Sequence, residues 1–401
     1  MFSTPSAVLG IWFRGLLAVA MLLLSAWLVA EWYDELPRSS RRVEPSTVQS
    51  DRQERVLSPG ERLAAWRPGL DRRTAMLSGA VLLLAMSVGG RTFSRRMFRP
   101  SDGRGIPSMP PCEARRLPRP DGTELQVNVF GPEHLPTVVL THGWGMDSGE
   151  WAYLLKEWSC KFRVITWDLP GLGRSSRPRN NDYSLEKMAG DLQGVVESCG
   201  KKRVALVGHS IGGMIMLTLA RLHPELMGSR VARMIIVHSS YTNPLRTMRF
   251  ASLMTALENP VIKPLLYLQI ALSPLIWLMN WLSYLNGSVH NSTASSGFAG
   301  TESREKLDFV ASFSPKASPA VLARGALGMC HYDATEVLKQ LKIPVLVFAG
   351  DRDPVTLPEA SERMASELSE SRLQTLSPGK HYGFIEHNAD FAGAAAAFCN
   401  Q

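Results

Sequence analysis

The sequence lacks closely spaced cysteines. Its five cysteines are scattered along 401 residues, their number is odd, and no C-x-x-C motif occurs. This pattern argues against both a disulfide framework and a cysteine-based zinc site. We interpret the cysteines as small buried residues or inert thiols and expect no metal. They are Cys112, Cys160, Cys199, Cys330 and Cys399.

The chain also lacks a basic patch interleaved with aromatic residues. The formal net charge is +8, but the excess arginine lies beside apolar runs near the N-terminus, which argues against nucleic-acid binding. Charged residues make up 20% and hydrophobic residues 45% of the chain, a composition that excludes a mainly disordered protein. The length predicts one large domain with an appendage.

Two apolar runs stand near the N-terminus, at about residues 8–30 and 74–90. The first is long enough to cross a bilayer and carries aromatic residues towards both ends. A cleaved signal peptide is the alternative, but the run lacks a strongly basic start and an A-x-A-like cleavage site. The second run is at the short limit of a span, so a buried hairpin helix or an interfacial segment is its alternative.

These runs predict an integral membrane protein anchored by residues 1–98. The polar stretch 31–73 is typical of a solvated connector, and six prolines within residues 99–120 predict a linker. The flanking arginines are nearly balanced between the two ends of the runs, so they do not assign the side of the membrane.

Residues 121–401 alternate apolar, strand-like runs with helical patterns. This alternation predicts an α/β domain with a mostly parallel central sheet and flanking helices. The long interval at about 241–325 predicts a helical cap, because structureless loops of that length are uncommon. Its most apolar part could instead be a third span, but Pro274 interrupts it. The predicted strands are Leu125–Phe130, Thr137–Leu140, Phe162–Trp167, Val204–Val207, Val231–Val237, Pro344–Phe348 and Leu373–Leu376.

A candidate nucleophile lies in the pentapeptide from Gly208 to Gly212, whose central residue is Ser210. A G-x-S-x-G pentapeptide alone is a weak signal, since it also describes an ordinary tight turn. Here it follows a predicted strand and precedes a predicted helix, which is the context that a nucleophile elbow requires. The two glycines allow a cramped turn that holds the Ser210 hydroxyl above the sheet edge.

A second glycine-rich turn, from Thr141 to Gly145, follows the strand at Thr137–Leu140. We expect the backbone N–H groups of Trp144 and Ile211 to form an oxyanion hole there. The side chain of His142 is expected to be structural.

A serine nucleophile needs a base and an orienting carboxylate, in the chain order Ser, Asp, His. Asp353 follows the strand Pro344–Phe348 and is the predicted acid, with Asp351 as the nearer competitor. His381 lies on a loop near the C-terminus and is the predicted base, whereas His387 and His331 are expected to be structural.

The domain resembles the α/β-hydrolase superfamily over about residues 124–399. The resemblance is closest to lid-bearing carboxylesterases, including the pimeloyl-carrier methyl esterase type, which shares the His-Gly-Trp-Gly turn. Asp168, in the segment 168–175, is similar to a structural turn residue of the family. The motifs that carry the resemblance are His142–Gly145, Asp168–Ser175, Gly208–Gly213, Gly350–Asp353 and His381.

The resemblance and the motifs together predict hydrolysis of a carboxylic ester through an acyl-enzyme, without metal or organic cofactor. Serine at the elbow disfavours dehalogenase and epoxide hydrolase chemistry, which uses aspartate there. An apolar lid and a membrane anchor favour a small lipophilic or lipid-like ester. Cofactor-free haloperoxidase or perhydrolase activity and acyl transfer use the same three residues and are alternatives. A non-catalytic, membrane-anchored binding protein is the alternative from another class.

Overall fold

The computed structural model describes residues 5, 7–35, 71–98, 100–103 and 105–401. Most of the predicted connector at 31–73 therefore lies outside the described residues. The strands are β1 Glu113–Pro118, β2 Glu124–Phe130, β3 Thr137–Thr141, β4 Arg163–Trp167, β5 Val204–His209, β6 Val231–Val237, β7 Val345–Gly350 and β8 Ser371–Leu376. The helices are α1 Ala7–Asp34, α2 Arg72–Phe98, α3 Ala152–Trp158, α4 Leu185–Ser198, α5 Ile211–Leu222, α6 Ala251–Leu257, α7 Lys263–Ala271, α8 Ser273–Leu285, α9 Ser288–Gly297, α10 Arg304–Ala311, α11 Pro319–Cys330, α12 Thr335–Gln340, α13 Pro358–Glu367, α14 Gly383–Glu386 and α15 Asn388–Cys399.

The strands form one eight-stranded sheet in the order β1-β2-β4-β3-β5-β6-β7-β8. Only β1 with β2 and β2 with β4 pair antiparallel, and all later pairs are parallel. Alternating side chains of β3 enter the two apolar cores, Val139 on one face and Val138 and Leu140 on the other. A sheet covered on both faces explains why these strands are continuous apolar runs. The predicted α/β class with a mostly parallel sheet is confirmed.

The predicted linker at 99–120 contains a strand that the sequence reasoning missed. Strand β1 pairs along its whole length with β2, from Glu113 opposite Val129 to Pro118 opposite Glu124. The six prolines of this segment favour a linker over regular secondary structure. However, β1 is an edge strand, where proline is tolerated because one side of the strand forms no ladder hydrogen bonds.

Helices α1 and α2 pack against each other near the N-terminus. Both are long and apolar enough to cross a membrane. Ser25 donates a hydrogen bond of 2.8 Å to the carbonyl of Ala80, and Leu28 lies over Gly79. The later residue of α1, Leu28, meets the earlier residue of α2, Gly79, so the two helices are antiparallel.

The helices between β6 and β7 include the predicted cap. A π-helical segment, Glu258–Ile262, joins α6 to α7, and this unit meets α8 at an angle of 98°. Pro274 stands at the start of α8, directly after the bend, because its ring and missing N–H are tolerated in the first turn of a helix. The apolar part of the cap is therefore bent and does not form one straight span.

Both N-terminal helices dock on the cap. Ile11 of α1 packs with Ile276 and Met279 of α8, and the Arg14 guanidinium donates a hydrogen bond of 2.9 Å to Ser292 of α9. In α2, Gly90 lies directly against the backbone carbonyl of Asn286. The two N-terminal helices and the helices between β6 and β7 thus share an interface.

A pair of glycine substitutions tests this interface. Ala in place of Gly within a helix is favourable by about 0.5–1 kcal/mol, and nothing lies within 4 Å of a Cβ at Gly89. At Gly90 the same Cβ would overlap the Asn286 carbonyl, and such overpacking costs about 1–3 kcal/mol. We expect Gly89→Ala to raise the midpoint of thermal unfolding of the detergent-solubilised chain and Gly90→Ala to lower it. Equal shifts of the unfolding midpoint in the two variants would contradict the contact between Gly90 and the Asn286 carbonyl.

Candidate active site

Ser210 sits in a strained turn between β5 and α5. Its backbone has φ 53° and ψ −117°, a conformation that costs a non-glycine residue about 1–3 kcal/mol. The neighbouring glycines make the turn possible. A Cβ at Gly208 would overlap the backbone of Gly212, and a Cβ at Gly212 would lie 2.5 Å from the carbonyl of Thr141. This is the geometry of a nucleophile elbow.

Three predicted site residues meet at the carboxyl edge of the sheet. His381 Nε2 lies 3.2 Å from the Ser210 hydroxyl oxygen, and His381 Nδ1 lies 2.9 Å from Asp353 Oδ2. All three side chains are buried. With Nδ1 donating to the carboxylate, Nε2 carries the lone pair that can accept the serine proton.

Asp353 is fixed in place by its own loop. Its carboxylate accepts hydrogen bonds from the backbone N–H groups of Val355 and Thr356, at 2.8 and 3.1 Å, and from the Thr356 hydroxyl at 2.9 Å. The competitor Asp351 instead accepts from the N–H of Gly379 at 2.7 Å. The structure thus places Asp353, and not Asp351, beside His381.

Burial and their mutual contact shift the pKa values of Asp353 and His381. Burial alone would raise the pKa of Asp353, but His381 and the hydrogen bonds outweigh it, so the pKa lies below its usual value. For His381, burial lowers the pKa below 6.5 and the neighbouring Asp353 offsets this only in part. At neutral pH the imidazole is therefore uncharged, as a general base must be.

The two predicted oxyanion-hole amides belong to segments that flank the candidate nucleophile. Trp144 follows β3, and Ile211 is the first residue of α5. The Trp144 indole donates a hydrogen bond of 3.1 Å to the carbonyl of Leu322 in α11. This bond ties the loop that carries the Trp144 amide to a helix between β6 and β7.

His142 and His387 have structural partners, as does Asp168. His142 accepts from the N–H of Leu169 at 3.0 Å, and His387 bonds the carbonyl of Pro378 at 2.8 Å. Asp168 accepts from the N–H groups of Ser148 and Arg174, at 2.7 and 2.8 Å. His331 is exposed.

A buried carboxylate, Glu150, links the two turns of the site and was missed by the sequence reasoning. One of its oxygens accepts from the N–H of Gly143 at 2.8 Å. The other lies 2.6 Å from Nδ1 of His209, the residue before Ser210. His209 Nε2 in turn lies 3.1 Å from the carbonyl oxygen of His381. No motif marks Glu150, so only the folded structure reveals the link.

The hydrogen-bond partners of His209 determine how many protons His209 and Glu150 share. The His381 carbonyl accepts only, so His209 Nε2 must carry a proton. One further proton then lies between His209 Nδ1 and Glu150, on either atom. In both arrangements the pair is neutral overall, which allows full burial without an uncompensated charge.

His238, directly after β6, is a second neighbour that the sequence reasoning missed. Its Nδ1 lies 3.7 Å from Asp353 Oδ2, and neither ring nitrogen has a hydrogen-bond partner among the described residues. Burial lowers the pKa of His238 to about 3. The ring is therefore neutral at neutral pH. Its position at the end of a strand, on the same sheet edge, is a signal that could have drawn attention to it.

Ser210 is closed off from solvent. A cavity of about 410 Å³ opens beside the loop after β3, where Met146, Phe313 and Lys316 are among its lining residues, but none of the five predicted site residues lines it. Within the described ranges, no three His, Cys, Asp or Glu side chains converge as metal ligands.

Comparison with known proteins identifies the fold family. The family model of the α/β-hydrolase fold matches residues 136–388. The chain belongs to the α/β-hydrolase family. It is 31% identical over 273 residues to the pimeloyl-(acyl-carrier protein) methyl ester esterase of Methylococcus capsulatus, covering 66% of this chain and 94% of the relative. It is 26% identical over 266 residues to a protein of a Caulobacter strain provisionally named carbamate hydrolase RutD, covering 66% and 90%.

Solved structures agree with this assignment. An esterase from Exiguobacterium antarcticum superimposes with a TM-score of 0.58 at 22% identity, covering 72% of this chain and all of that chain. The expected family is thus confirmed, and this α/β-hydrolase is a hydrolase enzyme. The two curated relatives match about two thirds of the chain, and the family model begins at residue 136.

Glu150 bonds both turns of the site, and we expect it to position them relative to each other. Two substitutions of Glu150 test this role. In Glu150→Gln the amide N–H can donate to His209 Nδ1 while the amide oxygen accepts from Gly143, so we expect kcat within about threefold of the wild type. Glu150→Leu leaves both partners unsatisfied, at about 1–3 kcal/mol each in the free energy of unfolding. We expect it also to lower kcat by about tenfold to a hundredfold, because the two turns lose their shared anchor.

The measurement is ester hydrolysis per folded enzyme, with the folded fraction determined separately for each variant. A purely structural role would lower the unfolding temperature of the Leu variant but leave kcat per folded molecule unchanged. That result, or a Gln variant as impaired as the Leu variant, would contradict the positioning role.

Proposed function

We propose that this α/β-hydrolase is a membrane-anchored serine esterase that cleaves a lipophilic carboxylic ester through an acyl-enzyme. The observation that carries the proposal is the hydrogen-bonded series Ser210–His381–Asp353, with distances of 3.2 and 2.9 Å. A serine in a strained elbow, a neutral buried imidazole and an orienting carboxylate are what acyl transfer to serine needs.

In the proposed reaction the Ser210 hydroxyl oxygen attacks the acyl carbonyl and His381 accepts the hydroxyl proton. The N–H groups of Trp144 and Ile211 stabilise the oxyanion. The tetrahedral intermediate expels the alcohol, which takes the proton from His381, and leaves the acyl group on Ser210. Water, deprotonated by His381, then attacks the acyl-enzyme. The second tetrahedral intermediate releases the carboxylic acid by expelling the Ser210 oxygen, which takes the proton back from His381. Asp353 keeps Nδ1 of His381 protonated throughout.

The substrate class is inferred from two further features. The curated relatives are named as an ester and a carbamate hydrolase, both of which act on an acyl carbonyl. Helices α1 and α2 have the length and composition of membrane spans, and we assign them as the integral anchor. An enzyme held at a bilayer meets esters dissolved in lipid at high local concentration, which favours a lipophilic substrate.

Active-site labelling tests the first step. We expect a fluorophosphonate probe to label the folded full-length chain stoichiometrically, because the probe mimics the tetrahedral intermediate and needs an activated serine. Ser210→Ala should abolish labelling, and Ser229→Ala, which removes an exposed serine, should leave it unchanged. Unlabelled wild-type protein would favour the non-catalytic binding alternative. Labelling without hydrolysis of short or long p-nitrophenyl esters would favour perhydrolysis or acyl transfer.

The pH dependence of kcat/KM tests the base. His381 must be neutral to accept a proton, and burial lowers its pKa below 6.5. Activity should therefore persist as the pH falls through 6.5 and decline only at lower pH, where the imidazole becomes protonated. The measurement uses a non-ionising ester. After each exposure to low pH the enzyme is returned to neutral pH, and recovery of its activity shows that the loss was not due to irreversible unfolding. A decline of kcat/KM towards low pH with its midpoint above pH 6.5 would contradict the assignment of His381 as the base.

A further inference from the structure

His238 is a buried imidazole that the proposed reaction does not use. It follows β6 directly, and its backbone takes the left-handed conformation with φ 45°. Its N–H donates a hydrogen bond of 3.0 Å to the carbonyl of Phe348 in β7, and its side chain has no exposed surface. Positive φ is uncommon outside glycine, and a buried polar ring is costly to desolvate. The imidazole therefore occupies this position at a cost.

The ring of His238 stands beside the acid of the proposed reaction. Its Nδ1 lies 3.7 Å from Asp353 Oδ2, a separation too long for a hydrogen bond. The same oxygen accepts hydrogen bonds of 2.9 Å from His381 Nδ1 and from the Thr356 hydroxyl. The ring centroids of His238 and His381 lie 6.2 Å apart. One carboxylate oxygen thus faces both imidazoles.

The carboxylate determines which nitrogen of His238 carries the proton. Burial lowers the pKa of His238 to about 3, so the ring is neutral and holds a single N–H. A lone pair on Nδ1 would face the negatively charged Asp353 Oδ2 and repel it. An N–H at Nδ1 instead turns its positive end towards the carboxylate. The favoured tautomer therefore has the proton on Nδ1.

This N–H weakens the stabilisation that Asp353 gives to a protonated His381. The positive end of the Nδ1–H dipole lies beside the oxygen that His381 contacts, so it opposes the positive charge that His381 gains on protonation. All three side chains are buried, and a buried dipole is screened much less than one in water. Protonation of His381 is consequently less favourable beside His238 than beside an apolar side chain.

We propose that His238 is a positioning residue that keeps His381 unprotonated in mildly acidic solution by directing a neutral N–H at Asp353. The proposal rests on the proposed function, in which His381 is the base. Ester hydrolysis then persists to lower pH than the series Ser210–His381–Asp353 alone would allow.

The other described titratable groups around the two rings are the same in every comparison below. They are His209 at the end of β5, Glu150 before α3, and Tyr382 and His387 on either side of α14. His209 and Glu150 share their protons as a pair that is neutral overall, and His387 bonds a backbone carbonyl at 2.8 Å. Burial raises the pKa of Tyr382, which stays neutral throughout the acidic range. A shift that follows substitution of His238 therefore reports on His238.

Two substitutions of similar shape separate the N–H of His238 from the bulk of its side chain. In His238→Asn the amide N–H occupies the place of Nδ1, and Asn adopts positive φ readily. His238→Leu has the same branched shape without a donor. His331→Asn, at an exposed histidine, is the control. The measured quantity is the pH midpoint of His381 protonation, followed by the 15N chemical shifts of its ring in the detergent-solubilised full-length chain.

We expect this midpoint to rise by about 0.5–1 pH unit in His238→Leu, because the opposing dipole is gone. In His238→Asn and His331→Asn it should stay within about 0.2 pH unit of the wild type. The decline of kcat/KM towards low pH should move with the midpoint of His381. An unchanged midpoint in folded His238→Leu overturns the inference, and so does an equal rise in the Asn and Leu variants at position 238.

The wild-type chain supplies a test that needs no substitution of His238. The same spectra show which ring nitrogen of His238 carries the proton, and we expect Nδ1. A proton on Nε2 overturns the inference, even where the variants do not fold. These spectra require no substrate, so they separate the inference from the proposed reaction. The expected tautomer and midpoints together with absent ester hydrolysis support the inference and count against the proposed reaction.

Discussion

The site depends on the close approach of the Ser210 turn to two other backbone segments. These are Thr141 at the end of β3 and residues 237–239 at the end of β6. The positive φ of Ser210 is held by hydrogen bonds on both sides, from its N–H to the carbonyl of Val237 at 2.9 Å and from the Ser239 hydroxyl to its carbonyl at 2.6 Å. These bonds compensate for the strain of the turn. They also join β5 to the end of β6, so the position of the candidate nucleophile is set by the sheet itself and not by a mobile loop.

A continuous set of contacts leads from the anchor to the candidate oxyanion hole. Val8 of α1 belongs to the same apolar core as Leu266 of α7 and Leu322 of α11. The Leu322 carbonyl in turn receives the indole hydrogen bond of Trp144. Helix α1 is therefore integrated into the α/β domain, and the same packing that fixes α1 also supports the loop after β3.

The sequence predicts those features that depend on local pattern. Strand β5, Ser210 and α5 are adjacent along the chain, so one motif with its flanks was enough to identify them. Strand β1 was missed because an edge strand tolerates the prolines that elsewhere indicate a linker. Glu150 and His238 were missed because their roles arise from contacts with residues 59 and 115 positions away, His209 and Asp353. Hydropathy likewise indicated that α1 and α8 are apolar, but not that they contact each other.

The hydrogen bonds of Asp351 have a consequence for the timing of assembly. Its two carboxylate oxygens accept from Ser377 and Gly379 in the segment that leads to His381. These bonds link the loop that carries Asp353 to the loop that carries His381. The candidate acid Asp353 and the candidate base His381 are therefore aligned by the fold itself, at 2.9 Å, without any ligand.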